Sequence, residues 1–216
     1  MIASLFYPVR KGWLSALLAL TAACAQARAA DVDWLIVPGE RIGAITSTTS
    51  EAELRQIYGD ENVTEAEINI GEGESETGTV LFDKDPERRI EILWNDPQAK
   101  SNPAWIKIDE LRNRWRTAEG ITIGTSLHEL ERMNGRPFTL TGFGWDYSGT
   151  VADWNDGTLE KFEGSWGRII LRLYPEAGLP QDAPADVWGD KEIASDQPSM
   201  QKLDPKVYEI IMEFAH

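Results

Sequence analysis

The chain has 216 residues, 36 Asp and Glu against 21 Lys and Arg, a formal net charge of −15, one cysteine and two histidines. A chain this acidic repels phosphate backbones and anionic lipid, so nucleic acid is not expected as a partner; the charge serves solubility first, and would favour encounter with a basic partner or with cations. Two histidines and one cysteine leave Ser-His-Asp, Cys-His and zinc arrangements without raw material, and neither a metal nor a cofactor is expected.

The first 29 residues read as a secretory signal. Arg10 and Lys11 precede a run of sixteen uncharged residues, Gly12 to Ala27, shorter than the roughly 20 that a spanning helix needs. Ala27-Arg28-Ala29 gives small residues at the cleavage positions, with Ala30 as the new N-terminus. The alternative is a lipoprotein: Leu20-Thr21-Ala22-Ala23-Cys24 loosely resembles a lipobox, and membrane attachment is expected only if Cys24 is lipidated. Either route exports the chain, to the periplasm or beyond. Cleavage before Ala30 would remove three basic residues, taking the charge from −15 to −18, and would leave no cysteine for a disulfide.

The mature part opens on a repeat. Ala44–Gly59, AITSTTSEAELRQIYG, is written again 76 positions later as Gly120–Gly135, GITIGTSLHELERMNG, with Ile45/Ile121, Thr46/Thr122, Thr49/Thr125, Ser50/Ser126, Glu53/Glu129, Leu54/Leu130 and Gly59/Gly135 identical. Thr77-Gly78-Thr79-Val80 is echoed by Ser148-Gly149-Thr150-Val151. A repeat of this length implies a duplicated supersecondary unit. Ser50-x-x-Glu53 and Ser126-x-x-Glu129 are capping boxes that start two short helices, and Gly59 and Gly135 end them. Leu54, Ile57 and Tyr58 form the apolar stripe of the first helix, Leu127, Leu130 and Met133 that of the second. His128 belongs on the solvent side of its helix.

Strands follow each helix. Ala66, Ile68 and Ile70 alternate with Glu67 and Asn69; Ile90, Ile92 and Trp94 with Glu91 and Leu93; Ile169, Leu171 and Leu173 with Arg168, Ile170 and Arg172; and Tyr208, Ile210, Met212 and Phe214 with Val207, Glu209, Ile211 and Glu213, while Trp105–Ile108 is a further strand. Asp83-Lys84-Asp85-Pro86 and Asn155-Asp156-Gly157 supply turns. The fold class is therefore α+β: two tandem units, 30–108 and 109–216, each a short capped helix packed on an antiparallel β-meander. The second unit carries an inserted loop, 176–205, rich in Pro, Asp, Ala and Gly. The acidic stretch Glu72–Glu76 lacks the ligand spacing of a calcium loop and reads as a solvated turn.

The motif Gly120-Ile121-Thr122-Ile123-Gly124-Thr125-Ser126-Leu127-His128-Glu129-Leu130, followed by Asn134-Gly135-Arg136-Pro137-Phe138, resembles the β-lactamase-inhibitor-like fold, which includes small outer-membrane assembly lipoproteins. The stretch Gly120–Trp154 is also similar to a group of exported bacterial proteins with no assigned activity. The spacing near 76 residues is similar to the tandem secreted inhibitors. Those carry disulfides that this chain cannot form, and the first copy has Asp60-Glu61-Asn62 where Gly-x-Pro should continue. The resemblance implies the fold and says nothing of the partner's identity.

The segment Gly142-Phe143-Gly144-Trp145-Asp146-Tyr147-Ser148-Gly149 is the most distinctive local sequence. Read as a strand, it places Phe143, Trp145 and Tyr147 on one face, with Trp154 and Trp166 on neighbouring strands or turns. Trp145, Tyr147, Trp154 and Trp166 are candidate partner-binding residues, because Trp and Tyr anchor interfaces. The competing assignment makes the same tryptophans core filler, and the sequence leaves both open. The expected function is an exported, non-enzymatic binding protein of the bacterial envelope that engages a protein partner, a basic one being an option, through a sheet face. The alternative is a periplasmic ligand- or glycan-binding protein, or a glycan hydrolase.

Overall fold

The structure, a computed structural model, describes residues 33–164 and 167–214. The expected signal and Cys24 lie outside the described residues. Among the described residues, fourteen strands and three α-helices make a mixed α+β fold. No helix among the described residues is long and apolar enough to cross a membrane.

Three short strands, β1 (Leu35–Val37), β2 (Arg41–Ile42) and β3 (Ile45–Thr46), lead into helix α1 (Glu51–Tyr58). The Ser50 hydroxyl accepts from the Glu53 N–H while the Glu53 carboxylate accepts from the Ser50 N–H, so two donors that the first turn would orphan are satisfied. Strands β4 (Val63–Gly71), β5 (Glu74–Leu81), β6 (Ile90–Asp96) and β7 (Ser101–Ile108) follow as a meander. Strand β8 (Arg116–Thr117) pairs in parallel with β1. Trp115, fully buried, packs against Trp34 with ring centres 5.2 Å apart and fixes this passage between the halves.

Helix α2 (Leu127–Asn134) has the same capping box, from Ser126 and Glu129, and a left-handed Gly135 after it. Then come β9 (Thr139–Thr141), β10 (Val151–Asp153), β11 (Glu163–Gly164) and β12 (Gly167–Tyr174), and, after a long excursion, β14 (Lys206–Phe214). The excursion is not a bare loop. It contains β13 (Glu192–Ala194), which pairs with β9, and helix α3 (Pro198–Leu203). Buried Ser195 ties it down, donating to Glu131 at 2.5 Å and accepting the Phe138 N–H at 2.9 Å.

The main sheet has seven strands in the order β11-β12-β14-β7-β6-β5-β4. Its seam is the antiparallel pair β7–β14, which joins the two halves into one sheet. One row crosses five strands without a break, Thr79–Ile92–Ile106–Met212–Ile169, every member at most 1 % exposed. This inner face meets α1, where the Thr79 hydroxyl donates to Glu51 at 2.7 Å and accepts from the Trp94 indole at 2.9 Å.

The two halves share local hydrogen bonds. The N–H of Thr46 bonds the Thr49 hydroxyl at 2.9 Å, and that of Thr122 bonds the Thr125 hydroxyl at 3.0 Å. Ser50 bridges to Ser101 at the start of β7, and Ser126 to Lys206 at the start of β14. A methyl group on Gly78 would lie 2.6 Å from the Ile92 carbonyl oxygen; one on Gly149 would collide with the Leu173 carbonyl. Two expectations need correction. Ile57 is 52 % exposed, so the α1 stripe is narrower than its spacing suggests. Tyr208 stands at a bulge where β14 slips by one residue against β12, and only Ile210, Met212 and Phe214 of its expected row are buried in the core.

Candidate binding site

The outer face of the sheet is built from the opposite parity of the same strands. Directly paired residues share a face, and the rungs can be read off the register. Glu91, Lys107, Ile211 and Ile170 form the central rung; Trp105, Glu213 and Arg168 form the next. On the other side Arg172 stands opposite Glu209. A cleft of about 650 Å³ lies over these rungs. Its roof is the β4–β5 hairpin tip, whose Glu72 N–H donates to the Asp146 carboxylate at 3.1 Å across to the turn that follows β9.

The floor is unusual for an outward sheet face, because its charges are sequestered. Glu91, Lys107 and Glu209 are 8 %, 9 % and 9 % exposed. Arg89 donates to Glu91 Oε1 at 2.6 Å, and Lys107 Nζ stands 2.8 Å from Glu91 Oε2 and 3.8 Å from Asp109. Glu91 is thus ion-paired through both of its oxygens, to Arg89 and to Lys107. Arg172 donates to Glu209 at 2.7 Å, and its guanidinium lies 5.1 Å from the Tyr147 ring centre. Between the charges run three half-buried apolar side chains, Trp105, Ile170 and Ile211.

Electrostatics separate the carboxyls. Burial raises the Glu209 carboxyl above its ordinary range despite Arg172 and Lys107, and burial together with Glu91 does the same to Asp109. Burial works against the Glu91 charge too, but Lys107 and Arg89 outweigh it and hold that carboxyl low. Burial beside Glu209 pushes the Tyr208 phenol up to about 12.

Comparison with protein-family models, with curated proteins and with solved structures finds no match to this chain. The arrangement must be judged on its own geometry. Among the described residues no group of three or more His, Cys, Asp and Glu side chains is placed to hold a metal ion.

The candidate aromatic residues separate. Gly142–Gly149 is a compact turn between β9 and β10, not a strand with Phe143, Trp145 and Tyr147 in one row. The Trp145 N–H bonds the Ser148 hydroxyl at 3.0 Å, and that hydroxyl also donates to the Trp145 carbonyl, closing the chain on itself. Phe143 is fully buried, and its backbone pairs with Val187 and Gly189 instead. Trp145 and Tyr147 stay together, ring centres 5.5 Å apart, both half-buried. Trp145 lines a second groove of about 630 Å³ with Tyr174, Pro175, Val207 and Tyr208, and Leu111, 79 % exposed, stands at its edge. Tyr208 lines both cavities.

Trp154 is not on this surface. It is 1 % exposed, packed between Phe138 at 5.1 Å and Phe162 at 6.1 Å, with its carbonyl held by buried Asn134. It is core because the strand ends at Asp153 and the chain turns inward onto the end of α2. Trp166 lies outside the described residues. His128 is half exposed, as its helix position implies, and its ring pairs with Asp204 at 2.7 Å, which raises its pKa.

The cleft residues Trp105, Ile170, Arg172, Glu209 and Ile211 escaped the aromatic search. A signal for them was present. Ile170 and Ile211 are apolar residues in the otherwise polar rows Arg168-Ile170-Arg172 and Glu209-Ile211-Glu213, a departure from half-buried alternation.

Proposed function

We propose that the chain is an exported, non-enzymatic binding protein of the bacterial cell envelope that engages a protein partner through the outer face of its seven-stranded sheet. The observation that carries this reading is the cleft over the seam, where half-buried Trp105, Ile170 and Ile211 line a preformed concavity beside the Trp145–Tyr147 pair. The signal-like first 29 residues support export. The matching caps, threonine turns and helix-to-last-strand bridges of the two halves support two tandem helix-plus-meander units, as in the inhibitor-like fold that the sequence resembles. The strong negative charge favours a partner with a basic surface.

The test is capture from envelope extract by the native chain, Trp105→Ala and Trp145→Ala, with a thermal melt of each. The expected outcome is one protein held by the native chain and released by both variants while they remain folded. Capture that both variants retain would overturn the assignment.

One observation favours the second reading, a glycan-binding protein or glycan hydrolase. Asp109 and Glu209, both lining the cleft, hold their protons above the ordinary carboxyl range, as a general acid does. Glycan hydrolysis lost in Glu209→Gln would reverse the order of the two readings.

A further inference from the structure

The 176–205 excursion is held to α2 by a relay of side chains that runs from a buried end to an open one. Glu131 accepts from the Ser195 hydroxyl at 2.5 Å and from the Gln201 amide nitrogen at 3.0 Å. The same nitrogen donates to the Ser195 carbonyl at 3.0 Å. Both of its partners are acceptors, so the Gln201 amide has one orientation, nitrogen inward and oxygen outward. That oxygen stands 3.0 Å from His128 Nε2. The other ring nitrogen, Nδ1, stands 2.7 Å from the Asp204 carboxylate, which also accepts the His128 backbone N–H at 3.2 Å. His128 therefore has an acceptor at each ring nitrogen. A neutral imidazole has one N–H and satisfies only one of them; the imidazolium satisfies both.

We propose that His128 is a proton-controlled clasp: charged, it fixes α3 and the start of β14 to α2, and neutral, it lets them loosen. The elements it joins depend on outside support. Helix α3 is six residues long, no side chain caps its N-terminus, and Asp204 ends it in the left-handed region at φ 42°. Next to Asp204, the Leu127 N–H bonds the Pro205 carbonyl at 2.9 Å and the Val207 N–H bonds the Thr125 carbonyl at 2.8 Å. The segment anchored there, Lys206 to Tyr208, is one wall of the groove beside Trp145. The charges around the ring favour its protonated form: Asp204 faces it from the end of α3 and Glu131 acts from its own helix, and both raise its pKa. Glu129 is engaged with the Ser126 N–H, Lys206 with Glu176, and Asp186 with Gln197 and Ser199, while Arg132 and Lys202 are exposed. With the folded pKa above the ordinary 6.5, the clasp is closed below about pH 6.5 and opens as pH rises through the folded value.

The experiment follows the full chain by NMR from about pH 5.5 to about pH 9, a range that brackets a raised histidine. Ring nitrogen shifts give the protonation state of His128, whose signal is the one lost in His128→Gln, since His216 is the only other histidine. Amide exchange, corrected for the intrinsic effect of pH, gives the protection of Gln201 and Asp204 in α3, of Val207 on the groove wall, and of Leu130 in α2, all of them backbone-bonded. His128 is expected to titrate above 6.5, with both nitrogens protonated below its midpoint. Protection of Gln201, Asp204 and Val207 should fall about threefold or more through that midpoint while Leu130 stays flat. The change is modest because the ring is half exposed and water replaces part of what is lost. Asp204→Asn tolerates the left-handed backbone and keeps an acceptor but loses the charge, so it should move both midpoints down together. If either variant does not fold, the native titration and exchange decide. His128 titrating at or below 6.5, protection that stays flat through its midpoint, Leu130 falling in step with α3, or midpoints unmoved in Asp204→Asn would each overturn the inference.

Discussion

Two tryptophans nine positions apart have opposite fates, and the difference is measurable. Trp154 fills the space between Phe138 and Phe162, so Trp154→Ala opens a cavity and is expected to cost about 3–5 kcal/mol in chemical denaturation. Trp145 keeps one side open and bonds its indole N–H to the Gly142 carbonyl at 2.9 Å, so Trp145→Ala should cost about 1–2 kcal/mol. Composition could not separate them; only the turn at Gly142–Gly149 does. A second residue matters as much and has no aromatic signature. Glu51, 8 % exposed at the first turn of α1, accepts from Thr79 and pairs with Arg55 and Lys100. Burial opposes its charge, but these three partners prevail and hold its pKa below the ordinary 4.5. A carboxyl lowered on folding contributes stability above its unfolded pKa and loses it as pH falls through the folded value. Acid melts should therefore show the native chain losing stability below about pH 4.5 more steeply than Glu51→Gln. Equal slopes would remove Glu51 from the acid response.

Helix starts were the most legible elements, because a capping box is a local chemical fact: Ser50 and Ser126 each bond the N–H three residues on, whatever the distant chain does. Ser50→Ala and Ser126→Ala should each destabilise by about 1 kcal/mol, read as a shift in denaturation midpoint, and their effects should add because the caps share no partner. Strands with one buried face were legible for the same reason, from Ile169-Leu171-Leu173 to Ile210-Met212-Phe214. What resisted was whatever depends on a distant segment. The 176–205 stretch reads as unstructured because its order comes from bonds of Ser195 to Phe138 and Glu131, 57 and 64 positions away. The site resisted for a related reason. Glu91 with Lys107 looks like surface charge in each strand taken singly, and becomes a buried pair only when the β4–β5 hairpin closes over it.

At the scale of the whole molecule the halves are joined edge to edge, and the outer-face floor draws Glu91, Trp105 and Lys107 from one side of the seam and Ile170, Arg172, Glu209 and Ile211 from the other. No half owns the cleft. Pairing Ile108 with Ile210 requires strands about a hundred positions apart to meet, and such non-local pairing is slow, since chain entropy is lost before contacts repay it. Until β14 arrives, β7 offers an open edge to any passing strand. A chain still being made therefore passes through a stage in which β7 is unpaired on that edge and the cleft is not yet assembled. Whatever enters the cleft can do so only after the seam has closed, so occupancy of this face would report that assembly is finished.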